Sequence, residues 1–210
     1  MAGSGITTRL SVAQALALAR DACLNAGASE ASALSLSRAL VDAEAAGQAN
    51  VGLAHLVDHL DALAAGRIKG DAVPDVSRPA RAIIRSDAGG GIAQLGFDMA
   101  FDDLVEAARE LGVAIFAQHN AYTCGSLGWF AARLAGEGLV AVAATNGPAL
   151  LAGSGGTRPV YCTNPMSFAA PVEDGPPENT PTWPRRYLWV SASGRGSKSC
   201  HSAGPLARSV

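Results

Sequence analysis

The sequence predicts an α/β fold in three stretches: a helical subdomain over residues 1–70, a strand-helix-strand layer over residues 71–173, and an irregular tail over residues 174–210. Three observations carry this. The first stretch holds three consecutive segments whose apolar residues recur every three or four positions, each closed by a glycine. In the second, short apolar runs alternate with one-sided amphipathic segments, the order of a sheet covered by helices. Beyond Asp174 neither period is sustained, and Pro, Ser, Gly and Arg dominate.

The first helix is SVAQALALARDACLNAG, with Ser11 as N-cap and Gly27 just past its end. SEASALSLSRALVDAEAAG repeats the plan between Ser29 and Gly47. The third, VGLAHLVDHLDALAAG, places Leu53, Leu56, Val57, Leu60, Leu63 and Ala64 on one face. After the linker GDAVPDVSRP, ARAIIRS is expected to be a strand, DAGGGIAQ a glycine-rich turn, and GFDMAFDDLVEAARELG an amphipathic helix stopping at Gly112. VAIFAQ and LVAVAAT are expected buried strands on either side of the helix GSLGWFAARLAGEG.

Composition narrows the function classes. Of 210 residues, 49% are hydrophobic and 16% charged, enough for a sizeable core, and the formal charge of −2 gives no electrostatic case for nucleic acid or an anionic membrane. No apolar run reaches the ~18 residues of a spanning helix. Cys23, Cys124, Cys162 and Cys200 show no CxxC spacing. Scattered thiols without a secretion signal point to a cytoplasmic protein.

Two glycine-rich pieces, DAGGGIAQLG and LLAGSGGTRP, invite a phosphate-binding assignment. Neither ends in the Gly-Lys-Ser/Thr of a Walker loop, and GSGGTRP runs into a proline and a strand-like VYCT, which is no dinucleotide fingerprint. QHNAYTCGSLGWF says more. Polar residues gather where a strand ends and a helix begins, the place α/β folds put ligand-binding groups. Asn120 and Thr123 there are candidates for substrate contact or for helix capping. Cys124 is either a thiol activated by the helix start or a small buried residue.

The stretches AEAAGQANVGLAHLVDHLDALAAGRI, GIAQLGFDMAFDDLVEAARELGVAIFAQHNAYTCGSLGWFAARLAGEGLVAVAATNGPA and GGTRPVYCTNPMSFAAP together resemble, in order, the malate/L-lactate dehydrogenase family of NAD(P)-dependent oxidoreductases. The resemblance spans residues 5–173, with TNGP and TNP…FAAP its specific segments. It implies a non-Rossmann cofactor domain, a homodimer, and hydride transfer between NAD or NADP and a small 2-oxo acid or cyclic 2-imino acid. By position it implies cofactor contacts at Thr145, Asn146 and Pro148, at Gly155, Gly156, Thr163 and Asn164, and at Cys124, Gly125, Ser126 and Gly128.

The departures bear on the chemistry. Asn50 and Val51 stand where the family has Ser-His, His55 stands where it has Arg, and Thr123 replaces a second histidine. Val51 cannot donate a proton. His55, a turn further on, is the candidate donor, with a solvated surface histidine as the alternative, and Tyr122 is the reserve donor; Asn50 is a candidate substrate contact. His55 and His59 are four apart, but no HExxH glutamate and no third ligand accompany them, so no metal is expected. Family members continue for well over a hundred residues past FAAP, whereas this text stops matching just beyond PVEDGPP. The α/β cofactor domain is therefore expected to be incomplete, the chain truncated or frame-shifted, the ordered body to end near Pro171, and turnover by this chain to be slight. A non-catalytic, dimerising or small-molecule-binding remnant is the alternative function.

Overall fold

In the computed structural model, the structure describes residues 8–171, 187–193 and 197–202. Three helices come first: α1 (Val12–Asn25), α2 (Glu30–Ala45) and α3 (Leu53–Ala64). The caps are those the sequence announces. Ser11 and Gln14 form a reciprocal capping box, Ser29 accepts from the Ser32 N–H, and Gly27 and Gly47 take positive φ of 99° and 78° just past the helix ends. Ala15, Ala19 and Cys23 of α1 pack on Ala33, Leu36 and Leu40 of α2 and on Leu56, Ala62 and Leu63 of α3.

The third helix is shorter than its periodicity suggests. Residues Ala49–Val51 form a separate 3-10 turn, and Gly52, with ψ −134°, breaks it from α3. The buried stripe of α3 is Leu56, His59, Ala62 and Leu63; Val57, expected on it, is 58% exposed, and Ala64 is exposed too. The break has a packing cause. A β-carbon at Gly52 would lie 2.9 Å from both the Cα and the backbone nitrogen of Glu44 on α2. The same Glu44 accepts the Leu53 N–H through Oε2 at 2.9 Å, satisfying an otherwise orphaned first-turn donor.

The α/β part follows. β1 (Asp75–Ala80) pairs antiparallel with β2 (Ile83–Asp87), which pairs parallel with β3 (Ile115–His119) across α4 (Ala93–Leu111). The sequence placed all of β1 but Ala80 in a linker. Its mostly exposed residues and Pro79 hide a strand that exists by pairing along an edge. α4 buries Phe97, Ala100 and Leu104 in a cluster with Ile84 on β2 and ends at Gly112 with φ 78°.

α5 (Leu127–Gly136) leads to β4 (Ala141–Ala144), then β5 (Leu151–Ala152), β6 (Pro159–Tyr161) and β7 (Met166–Pro171). β4 does not continue the first sheet. It pairs antiparallel with β7 and opens a second sheet ordered β4-β7-β8-β9, while β5 and β6 pair as a short ribbon. α5 covers one face of this sheet through Ala131, Ala132 and Ala135 on Ala141 and Ala169; Val142, Met166 and Phe168 lie exposed on β4 and β7.

Within the stretch read as lacking strand periodicity, β8 (Tyr187–Ser193) pairs with β7 and β9 (Ser197–Ser202) with β8, both antiparallel. YLWV is rich in strand formers, and the open edge of β7 supplies the template. The rest of the irregular-tail expectation falls on residues 174–186, 194–196 and 203–210, outside the described residues.

Gly52→Ala should cost ~1–3 kcal/mol, the usual penalty for overpacking, since backbone atoms of α2 stand in the way. Urea denaturation measures it. A loss under ~0.5 kcal/mol would mean that α3 can draw away from α2 freely.

Candidate active site

The site candidates collect around the loop that joins β3 to α5. At its start, Asn120 has φ 52° and donates its amide to both Asp87 carboxylate oxygens at 3.1 Å. Asp87 also accepts the Gly89 N–H at 2.8 Å, an Asx turn closing the DAGGG loop, and lies 3.3 Å from His119 Nε2. The Gly89 N–H, then the Asn120 amide, hold the Asp87 carboxyl below its ordinary range. Backbone bonds from Gly90 to Asn120 and from Tyr122 to Gly91 complete the clip between the two loops. Asn120 thus does not cap α5. Thr123 does not cap it either; its hydroxyl accepts from Gly125 at 3.4 Å.

The loop's second half is held from two sides. Gln94, buried in the first turn of α4, donates its amide to the Cys124 carbonyl at 3.0 Å. Ser126 is the N-cap residue of α5, yet its hydroxyl donates to Gln48 Oε1 at 2.8 Å and caps nothing. Gly125 takes φ 64°, and Gly128 is buried inside the helix. Because α5 begins only at Leu127, Cys124 lies outside the field of its N-terminus, and burial raises the thiol pKa. Cys124 is a packing thiol. The two glutamines left no trace in the sequence, since single polar residues beside apolar runs read as surface; Asp87 did, as Asp-x-Gly in a glycine-rich turn.

Facing this loop is α3. His55 is partly exposed, 21% by side chain, and its Nδ1 lies 3.1 Å from Asp58 Oδ2. His59 is fully buried. Its ring stands edge-on to His55, with centroids 4.7 Å apart, and to Tyr122, at 5.5 Å. His59 Nδ1 is 2.9 Å from the His55 carbonyl, which can only accept, so Nδ1 carries the proton and Nε2 is bare in the neutral ring. Nε2 makes no hydrogen bond of ordinary geometry, although the Thr123 backbone is near enough to favour the charged ring. Burial outweighs that help and lowers the His59 pKa. The three rings form a row from α3 to the β3–α5 loop. Gly52 removes the premise that Val51 and His55 share one continuous helix face, and Asn50 sits exposed on the 3-10 turn.

The remaining candidates, Thr145, Asn146, Pro148, Gly155, Gly156, Thr163 and Asn164, lie on the loops around β5 and β6, and apart from the partly buried Thr145 all are exposed. Ser167 of β7 donates to the Leu127 carbonyl at 3.1 Å and so ties these loops to the start of α5. Cys162 sits among them. The Asn164 N–H foremost, then the Thr163 hydroxyl and the Thr163 and Gly147 N–H groups, lower its thiol pKa. Among the described residues no three His, Cys, Asp or Glu side chains converge on a metal position, and no helix is long and apolar enough to cross a membrane.

Residues 10–179 match the family model described as malate/L-lactate dehydrogenase. The chain is 35% identical over 170 residues to a Delta(1)-pyrroline-2-carboxylate reductase of Ancylobacter novellus, covering 80% of this chain and 50% of that protein. It is 40% identical over 134 residues to a (2R)-3-sulfolactate dehydrogenase (NADP(+)) of Chromohalobacter salexigens, covering 64% and 40%. The crystal structure of delta1-piperideine-2-carboxylate reductase from Pseudomonas syringae superposes with a TM-score of 0.80 at 28% identity, covering 89% of this chain and 53% of that one. The chain spans about half the length of the curated relatives it matches.

Because burial holds the folded His59 pKa below the ~6.5 of an unfolded chain, the unfolded state takes up this proton first. Its contribution to stability is therefore whole above pH ~6.5 and declines as pH falls toward the folded value. His59→Phe should flatten that decline in thermal melts between about pH 7.5 and 5.5. An unchanged slope would assign the pH dependence to another group.

Proposed function

The chain belongs to the malate/L-lactate dehydrogenase family, and from that membership we propose that it takes part in NAD(P)H-dependent reduction of a cyclic 2-imino acid, with 2-oxo acids as the wider substrate class. The observation that supports this most directly is the row His55–His59–Tyr122, which sets two side chains able to donate a proton on α3 and on the β3–α5 loop that faces it. The relatives named as pyrroline- and piperideine-2-carboxylate reductases supply the substrate class.

Reduction of such an imine adds hydride to the carbon beside the carboxylate and a proton to the ring nitrogen. A nicotinamide cofactor, when bound, supplies the hydride. The residues that would hold it are Thr145, Asn146 and Pro148, Gly155 and Gly156, Thr163 and Asn164, with backbone from Cys124 to Gly128. The exposure of these loops supports that assignment. His55 delivers the proton. It is partly exposed and reaches a ligand as it stands, whereas His59 is sealed behind it. An imine nitrogen is already basic and makes a smaller demand on the donor than a ketone oxygen does. Asn50 and Thr123, both exposed, would bind the substrate carboxylate; Asn120 is committed to Asp87.

His55→Ala should lower kcat and kcat/KM together by ~10²- to 10⁴-fold in NADPH-dependent reduction of pyrroline-2-carboxylate. Tyr122→Phe should change either parameter far less. A His55 variant altered in KM alone would make the residue a carboxylate ligand and Tyr122 the donor. NADPH binding without turnover would make the chain a binding module.

A further inference from the structure

We propose that Asp58 is the positioning residue of His55, so that α3 carries a carboxylate-histidine dyad within one helical turn. This rests on His55 as the proton donor. Residues three apart on a helix lie one above the other, and side chains lean toward the N-terminus, which brings the Asp58 carboxylate back over His55. The contact is there: Asp58 Oδ2 lies 3.1 Å from His55 Nδ1.

The chemistry of the pair decides the tautomer. A carboxylate only accepts, so Nδ1 of the neutral ring keeps its hydrogen, and Nε2 becomes the nitrogen that gains and gives a proton. His59 fixes the ring from another side. Its imidazole stands 4.7 Å away at 86° to the plane of His55, and is itself pinned by Nδ1–H to the His55 carbonyl at 2.9 Å. His55 therefore has one edge held by a carboxylate, one flank walled by an aromatic ring, and Nε2 left for a ligand.

Stability is not what this pair provides. The Asp58 side chain is 67% exposed, and exposed ion pairs contribute little to folding. An acid held at this position acts on orientation and tautomer, which makes the two roles separable by measurement.

The test is nitrogen-resolved NMR of the histidine rings in the ¹⁵N-labelled full chain, at a pH where they are neutral, without cofactor or substrate. In the wild type, His55 should carry its hydrogen on Nδ1. Asp58→Ala should move it to Nε2, which free imidazole prefers, and Asp58→Asn, which keeps an acceptor oxygen, should retain the Nδ1–H form. His59 reports whether α3 is intact, because its Nδ1–H is set by a backbone carbonyl and should persist in every variant. A wild-type His55 found as the Nε2–H tautomer would overturn the proposal outright, as would an Asp58→Ala spectrum unchanged at His55. Either result would leave the donor assignment standing on its own kinetics; a kinetically silent His55→Ala would remove that assignment and leave the dyad as found.

Discussion

The burial of Phe97 is the contact on which the rest of the molecule is assembled. Its ring, 2% exposed, meets Phe101 on its own helix, Phe116 on β3, and Trp129 and Phe130 on α5, all at centroid distances of 5.0–6.0 Å. Edge-on aromatic pairs of this kind add about 0.5–1.5 kcal/mol each beyond the area they bury. One side chain on α4 thus joins the first sheet to the helix that covers the second. Arg133 closes the cluster. Its guanidinium lies over Phe97, Phe101 and Trp129 and pairs with Asp98, which also accepts from Ser35 of α2. Through Asp98 and through the bond from Trp129 Nε1 to Asp42, the helical layer is fastened to the same joint.

With that joint set, the β3–α5 loop has little freedom. Its first half is clipped to the DAGGG turn through Asp87 and Asn120, and its second half is gripped by Gln94 and Gln48. A loop fastened at both halves serves a site better than a free one, since a ligand then need not order it. The facing wall is α3, whose place is set by close approach at Gly52 and by the bond from Leu53 to Glu44. α3 carries His55 on this wall, with the His59 ring and the Asp58 carboxylate beside it.

The second sheet obeys different constraints. Alanines on α5 and at Ala141 and Ala169 allow close helix-on-sheet packing, while the other face leaves Val142, Met166 and Phe168 in the open. An antiparallel sheet tolerates one solvated face, but that face is normally polar. Here the alternation places apolar residues on both sides of β7, a pattern suited to a strand covered on both faces.

The α/β class, both ends of α1 and α2 and the C-terminal end of α4 were legible in the sequence, because caps, glycine stops and helical periodicity act over a few residues; α4 itself begins at Ala93, inside the stretch read as a turn. The grouping of His119, Asn120, Tyr122 and Thr123 before α5 was legible too, as polar residues at a strand-to-helix junction. Tertiary contacts alone decided the rest. Gly52 ends one helical turn and begins the next because the backbone of α2 at Glu44 leaves no room for a side chain, a fact held eight residues away in sequence. Asp75–Ala80 and Tyr187–Ser193 are strands because a neighbour's edge accepts them, not because their own pattern demands it. His55 and His59 look alike in sequence, four residues apart on one helix. Only the packing of Tyr122 and its loop over α3 buries one and leaves the other partly exposed, since burial is a property of what lies opposite a residue and not of the residue itself.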